Sequence, residues 1–241
     1  MKILAIESSA TACSVALCED ERLLAQSFQN NGLTHSVTLL PMLDQVLRGC
    51  GVELEEVDLI AAAAGPGSFT GLRIGVSAAQ GLAWPLHKPC AAVSTLEAMA
   101  WMLAHTEMEI CAAMDARRQQ VYAARFQGRG DTLERLSPDG ALSLEELAGQ
   151  VKKSGKAQIL VGDGAQLCYT TFRELGLDVR MAPPHLRFQS AWGVARAALE
   201  QARAGTLTDA EGLVPRYHRL SQAERERLAK ERAQGTADNQ S

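Results

Sequence analysis

The sequence predicts an α/β protein of two lobes, each a mixed β-sheet with helices on its faces. Three observations predict this. Short apolar runs of strand length alternate with longer segments of helical period. The order βββαβαβα occurs twice along the 241 residues. Strands joined by tight turns pair antiparallel and strands reached through a helix run parallel, so each half makes one mixed sheet.

The first half opens with an apolar run at residues 2–8 that ends in small polar residues. Strands follow at 13–18 and 22–28, then a helix at 34–48 in which Pro41 predicts a kink or a late start. A fourth strand at 58–64 leads into Gly65-Pro66-Gly67-Ser68-Phe69-Thr70-Gly71-Leu72-Arg73 and a helix at 72–84. Gly65 and Gly67 permit positive φ without a Cβ clash, and Pro66 stiffens the turn between them. Pro85 and Pro89 bound a connection to a fifth strand at 90–93, and Ser94 caps a helix at 95–105.

The second half repeats the order. Strands are expected at 109–116, 119–127 and 130–136, and Ser143 caps a helix reaching about 152. A strand at 158–161, a helix at 165–174, a short strand at 178–181 and a helix at 191–204 complete it. The expected division is an N-terminal lobe at 1–106, a C-terminal lobe at 107–219 and a charged tail at 220–241. The tail opens on a capping-box pattern at Ser221 and is expected to be a solvated helix or disordered.

Hydrophobic content of 46% and charged content of 22% are those of an ordinary soluble globular protein. A net charge of −4 excludes a general basic footprint for nucleic acid, though not a local patch. No apolar run approaches the ~20 residues that span a bilayer, and the start turns acidic too soon for a secretory signal. Cys13, Cys18, Cys50, Cys90, Cys111 and Cys168 form no CxxC pair and sit mostly in apolar runs. Free thiols in the cytoplasm, away from any membrane, are expected.

A duplicated βββαβαβα unit is the arrangement of the actin-like class (ASKHA), which includes sugar kinases and Hsp70. The segments AIESSATACSVAL, AAGPGSFTGLRIGVSAAQGLA, VSTLEAMA and MDARRQQVY, in this order, resemble the TsaB family of bacterial tRNA threonylcarbamoyladenosine biosynthesis subunits. The resemblance implies a non-catalytic subunit that pairs with and activates the catalytic subunit TsaD. It also implies help in recruiting the ATPase TsaE, a homodimer when TsaD is absent, and contact with tRNA only through the complex.

The actin-like class holds ATP between its lobes, on hairpin turns after the first strands. The first such turn here, Glu7-Ser8-Ser9-Ala10-Thr11-Ala12, has Glu for the usual Asp and no glycine. Its hydroxyls either donate to a ligand or satisfy nearby backbone. Val161-Gly162-Asp163-Gly164-Ala165 is taken as the second-lobe counterpart, where N–H groups at a helix start suit an anion. Glu7, Ser8, Gly162, Asp163 and Gly164 are therefore a weak candidate site for ATP or ADP, with no cofactor required. The alternative function is a stand-alone ATPase or kinase in which Glu7 and Asp163 manage magnesium and the attacking group.

TsaD-like chains carry His-x-x-x-His in the helix after the fifth strand, two ligands on one helix face. The matching positions here are Thr95 and Met99, which suit neither iron nor zinc. His105 falls on another face, and His35, His87, His185 and His218 are scattered, so no catalytic metal is expected. Ser68 is not in a Gly-x-Ser-x-Gly elbow, which leaves a protease as the least supported reading.

In the helix at 34–48, Val37, Leu39, Leu40, Met42, Leu43, Val46 and Leu47 span an arc of roughly 220°, wider than a one-sided helix needs. Either a partner or another element of the chain covers the excess. Gly71, Gly75, Ala78, Ala79 and Gly81 let a second backbone come close, whether a partner's or the chain's own. The resemblance implies that these two helices form the interface with TsaD or a second copy, giving Leu39, Leu43, Val46, Gly71, Arg73, Gly75 and Ala78 as interface candidates. The glycine string is then a rigid corner that sets the second helix. Arg117 and Arg118 are candidates for a phosphate, the tRNA backbone or an acidic partner, unless they pair with carboxylates such as Asp115. Arg73 has the same ambiguity.

Overall fold

The computed structural model describes residues 1–218; the expected tail lies outside them. The first half comprises β1 (Lys2–Glu7), β2 (Cys13–Glu19), β3 (Arg22–Gln29), α1 (His35–Cys50), β4 (Leu59–Gly65), α2 (Phe69–Ala83), β5 (Cys90–Ser94) and α3 (Thr95–Trp101). The second comprises β6 (Glu109–Asp115), β7 (Gln120–Arg129), β8 (Thr132–Arg135), β9 (Gly140–Ser143), α4 (Leu144–Ser154), β10 (Gln158–Val161), α5 (Ala165–Glu174), β11 (Val179–Met181) and α6 (Ala191–Arg203).

The five-stranded sheet runs β3-β2-β1-β4-β5 and the six-stranded sheet β11-β10-β6-β7-β8, with β9 also on β7. In each, the hairpin-linked strands are antiparallel and the helix-linked strands parallel. This is the actin-like arrangement, with β1, β2 and β4 matched by β6, β7 and β10.

Four local expectations change. α1 runs through Pro41, so the proline marks no late start. α2 begins at Phe69 because Ser68 caps it, its Oγ accepting from the Gly71 N–H at 3.4 Å. α3 ends at Trp101, short of His105. The extra strand β9 exists because β7 is ten residues long and β8 pairs only with its Phe126–Arg129 end. β9 pairs with its other end, from Gln120 to Ala123.

Side chains alternate across each sheet. Leu4, Ile6, Val15, Leu17 and Ile60 share a core with α1 and α2, whereas Ile3, Ala5, Ala16 and Leu59 share one with α6. In the second sheet Cys111, Ala113, Val121 and Leu160 pack with α4 and α5, and Ile110, Ala112, Met114 and Phe126 with α3. The last helix of each half thus covers the other half's sheet, and α3 and α6 pack on each other. The chain after α6 also returns to the first sheet. Thr208 bridges Cys90, and Gln80 Nε2 donates to the Ala210 and Leu213 carbonyls. A cut at 106/107 therefore separates the strands of the two lobes but not their packing.

No helix among the described residues is long and apolar enough to cross a membrane. The six cysteines are free, and burial pushes the Cys18 and Cys111 thiols up to about 12.

Candidate functional site

The turns after β1, β4, β6 and β10 meet at one end of the molecule, where parallel strands point their carboxyl ends. They enclose a cleft of about 600 Å³. Ser9, Ser68, Asp115, Arg117 and Asp163 line it, together with Tyr217 from the returning chain.

The first turn is closed by the glycine string. Ser8 Oγ donates to the Gly71 carbonyl at 2.9 Å, and the Ser68 N–H donates to the Ser9 carbonyl at 2.6 Å. A Cβ on Gly67, Gly71 or Gly75 would collide with Ser9 or Ser8. The backbone that these small residues admit is thus the chain's own β1 turn. Gly65 has φ +127°, and a side chain there would also strike the Arg216 carbonyl.

Glu7 is fully buried and does not line the cleft. Its Oε1 accepts the Ser9 N–H at 2.6 Å, while Oε2 is buried without a hydrogen-bond partner. Burial pushes its pKa up to about 7; hydrogen bonding from Ser9 opposes this and the negative charge of Asp163 adds to it. Asp163 does face the cleft and accepts from Gln189 Nε2 at 2.9 Å. Burial raises its pKa too, against the Gln189 bond and with the Asp115 charge.

Gly162-Asp163-Gly164 is not the equivalent of the β1–β2 turn. It follows β10 and so matches the glycine string after β4; the true counterpart is the β6–β7 turn at 116–119. The Gly162 N–H donates to the Arg187 carbonyl at 2.7 Å and the Gly164 N–H to the Ala113 carbonyl at 3.0 Å. Neither donor is open to a phosphate in this conformation. Of the five nucleotide candidates, Asp163 alone lines the cleft.

The returning chain supplies residues that no local pattern announced. The Arg216 N–H donates to the Ala64 carbonyl at 2.6 Å, and Tyr217 stacks on Phe69 with ring centroids 4.6 Å apart. Arg73 Nε donates to Tyr217 Oη at 3.1 Å across 144 residues of sequence, and its guanidinium lies 3.9 Å from the Phe69 ring centre. Val-Pro-Arg-Tyr is visible in the sequence, but nothing local says which surface it meets.

With this geometry in place, known proteins supply the family. A family model for TsaD, tRNA N6-adenosine threonylcarbamoyltransferase, matches residues 27–226. The tRNA threonylcarbamoyladenosine biosynthesis protein TsaB of Bacillus subtilis is 33% identical over 227 residues, 93% of this chain and 96% of that one. The Escherichia coli TsaB is 35% identical over 184 residues, 75% of this chain and 79% of its own. The chain belongs to the TsaB family. The solved structure of YeaZ from Pseudomonas aeruginosa agrees, with a TM-score of 0.78 at 30% identity, covering 90% of this chain and 99% of that one.

In this TsaB-family chain, Thr95 and Met99 do not fit a metal. Both are fully buried, and Met99 packs with Leu96, Leu103, Ile110 and Phe126 in the core between α3 and the second sheet. A hydroxyl and a thioether in an apolar core offer no charged donor to a divalent ion. Among the described residues no cluster of His, Cys, Asp and Glu has a metal-holding arrangement.

The interface candidates divide by burial. Leu39, Leu43 and Val46 are 1%, 7% and 3% exposed and belong to the core of the first sheet. Gly71 and Gly75 face Ser8. What α1 presents outward is Val37 at 69% and Leu40 at 57%; on α2, Arg73 is exposed and Ala78 half-buried. The wide apolar arc is therefore mostly covered by the chain itself.

Proposed function

We propose that the chain is a non-catalytic subunit for forming threonylcarbamoyladenosine on tRNA. It pairs with a TsaD-type catalytic subunit in the cytoplasm, holds that subunit in its active shape and helps to recruit a TsaE-type ATPase. The kinship with TsaB proteins over nearly the whole chain supports the pathway. One observation carries the non-catalytic role: the positions of the catalytic His pair hold Thr95 and Met99, sealed in the core. The burial of Glu7 points the same way, since a carboxylate outside the cleft reaches no substrate.

The pairing surface is the outer face of α1 and α2. Val37 and Leu40 are exposed apolar groups of α1 and Ala78 is a half-buried one of α2, and the same face serves a second copy when the partner is missing. A strain lacking the gene should lose threonylcarbamoyladenosine, and the full-length gene should restore it. Leu40→Glu and Val37→Glu should abolish co-purification with TsaD while leaving the melting temperature unchanged. Undiminished modification in the deletion strain sinks the role. Undiminished co-purification of both variants moves the interface elsewhere.

A further inference from the structure

The turn between β6 and β7 is a tight hairpin whose left-handed positions are filled by side chains instead of glycine. Arg117, Arg118 and Gln119 have φ of 63°, 55° and 60°, three successive non-glycine residues in the left-handed region. The Asp115 carboxylate accepts the Arg117 backbone N–H at 2.6 Å, and the Gln120 N–H donates to the Arg117 carbonyl at 3.2 Å. Asp115 thus bonds the turn's backbone and not a guanidinium group. Among the described residues neither Arg117 nor Arg118 forms an ion pair, and both are exposed. An uncommon backbone shape carries two exposed arginines, Arg117 lining the cleft and Arg118 next to it in the turn.

A second cation shares that cleft. Arg216 is exposed and lines it with Arg117, while Arg73, outside the lining, donates to the cleft residue Tyr217. Aromatic rings line the same cleft. Phe69 and Tyr217 stack at 4.6 Å, and Tyr122 stands 6.3 Å from His218, tilted at 58°. Guanidinium groups and aromatic rings sharing one cleft suit the phosphates and bases of unpaired RNA. The cleft lining also rules on depth. Asp115 and Asp163 place negative charge there, and the glycine N–H groups beside Asp163 are already bonded. A triphosphate seated on those groups meets repulsion without donors, whereas a strand crossing the rim meets the arginines.

We propose that this rim binds an unpaired stretch of RNA directly, with Arg117, Arg118 and Arg216 on phosphates and Tyr217 and Tyr122 facing bases. The proposal rests on the tRNA-modification reading above and adds a direct contact to it. The test is fluorescence anisotropy of a labelled unmodified tRNA and its anticodon stem-loop. Each is titrated against the full chain alone and in complex with its TsaD partner, between about 50 and 200 mM salt. R117E/R118E should weaken binding at least tenfold and flatten the log–log salt slope by about 1.4, because each lost single-strand phosphate contact removes about 0.7. R117Q/R118Q should flatten it by the same amount, and carries the test should the charge reversal disturb assembly. K152E/K153E on α4 is the control for net charge and should leave the slope unchanged.

Unchanged affinity and slope in R117Q/R118Q overturns the contact. So does a slope change equalled by K152E/K153E, or displacement of the RNA by micromolar ATP, which assigns the cleft to a free nucleotide. The subunit reading fails separately, by undiminished modification in the deletion strain. A complex that assembles and modifies tRNA with R117Q/R118Q at full affinity defeats the RNA contact alone.

Discussion

Replacing Glu7 with Gln should stabilise this protein at alkaline pH and leave it unchanged at acid pH. Glu7 is fully buried, and burial pushes its pKa from an ordinary 4.5 to about 7. Below about 4.5 both the folded and the unfolded chain hold the proton, and Glu7 costs nothing. Between 4.5 and about 7 the unfolded chain releases a proton that the folded one keeps, so stability falls as pH rises. Above about 7 the whole penalty stands. Each pH unit of displacement is worth ~1.36 kcal/mol, so the full effect is about 3 kcal/mol. Gln keeps the Oε1 acceptor for the Ser9 N–H and carries no charge. Its neutrality also relieves Asp163, which adds in the same direction. Urea unfolding of both proteins from about pH 4.5 to pH 8.5 reads the difference. The variant should match the wild type at the acid end and gain about 3 kcal/mol at the alkaline end. A difference that stays flat across this range would refute the reasoning, since Glu7 would then be ionised and satisfied inside the fold.

Three further outcomes are expected. Gly71→Ala drives a Cβ into the Ser8 carbonyl and should cost roughly 1–3 kcal/mol, whereas Gly81→Ala, with no neighbour within 4 Å, should gain about 0.8 kcal/mol from helix propensity. Equal thermal shifts would mean that α2 does not press on the β1 turn. Tyr217→Ala removes the Phe69 stack and the Arg73 bond and should cost roughly 1–2 kcal/mol. Hydrogen exchange at the Arg216 amide should accelerate with it, and an unchanged rate would show that the returning chain is anchored elsewhere. Calorimetric titration with ATP should find no saturable site tighter than about 1 mM, or ~4.1 kcal/mol of binding. A micromolar site lost in Asp163→Ala would revive the ATPase reading.

The strands were legible because their composition and length are local properties. Residues 58–64 read as a buried run, and β4 is buried throughout. Ser94 and Ser143 read as caps, and each hydroxyl accepts the N–H three residues on, from Glu97 and Glu146. β9 was not legible: four residues of mixed character become a strand only because β7 offers them an open edge. The Gly162-Asp163-Gly164 turn was assigned to the wrong counterpart because glycine content does not report which strand end a turn follows.

The sequence by itself determined the α/β class, the duplicated order and the family, each carried by residues close together in the chain. Through that resemblance it also put Thr95 and Met99 where TsaD-like chains carry a metal pair, and their residue types argue against a metal there. Tertiary structure decided what the glycine string is for. Gly67, Gly71 and Gly75 are small because the chain's own Ser8 and Ser9 lie against them, a contact that no periodicity encodes. It also decided that Leu39, Leu43 and Val46 face inward, because an apolar arc states how much surface must be covered and not what covers it. Burial, return paths and the meeting of four turns at one cleft are long-range consequences of packing, so they became readable only once the two sheets were in place.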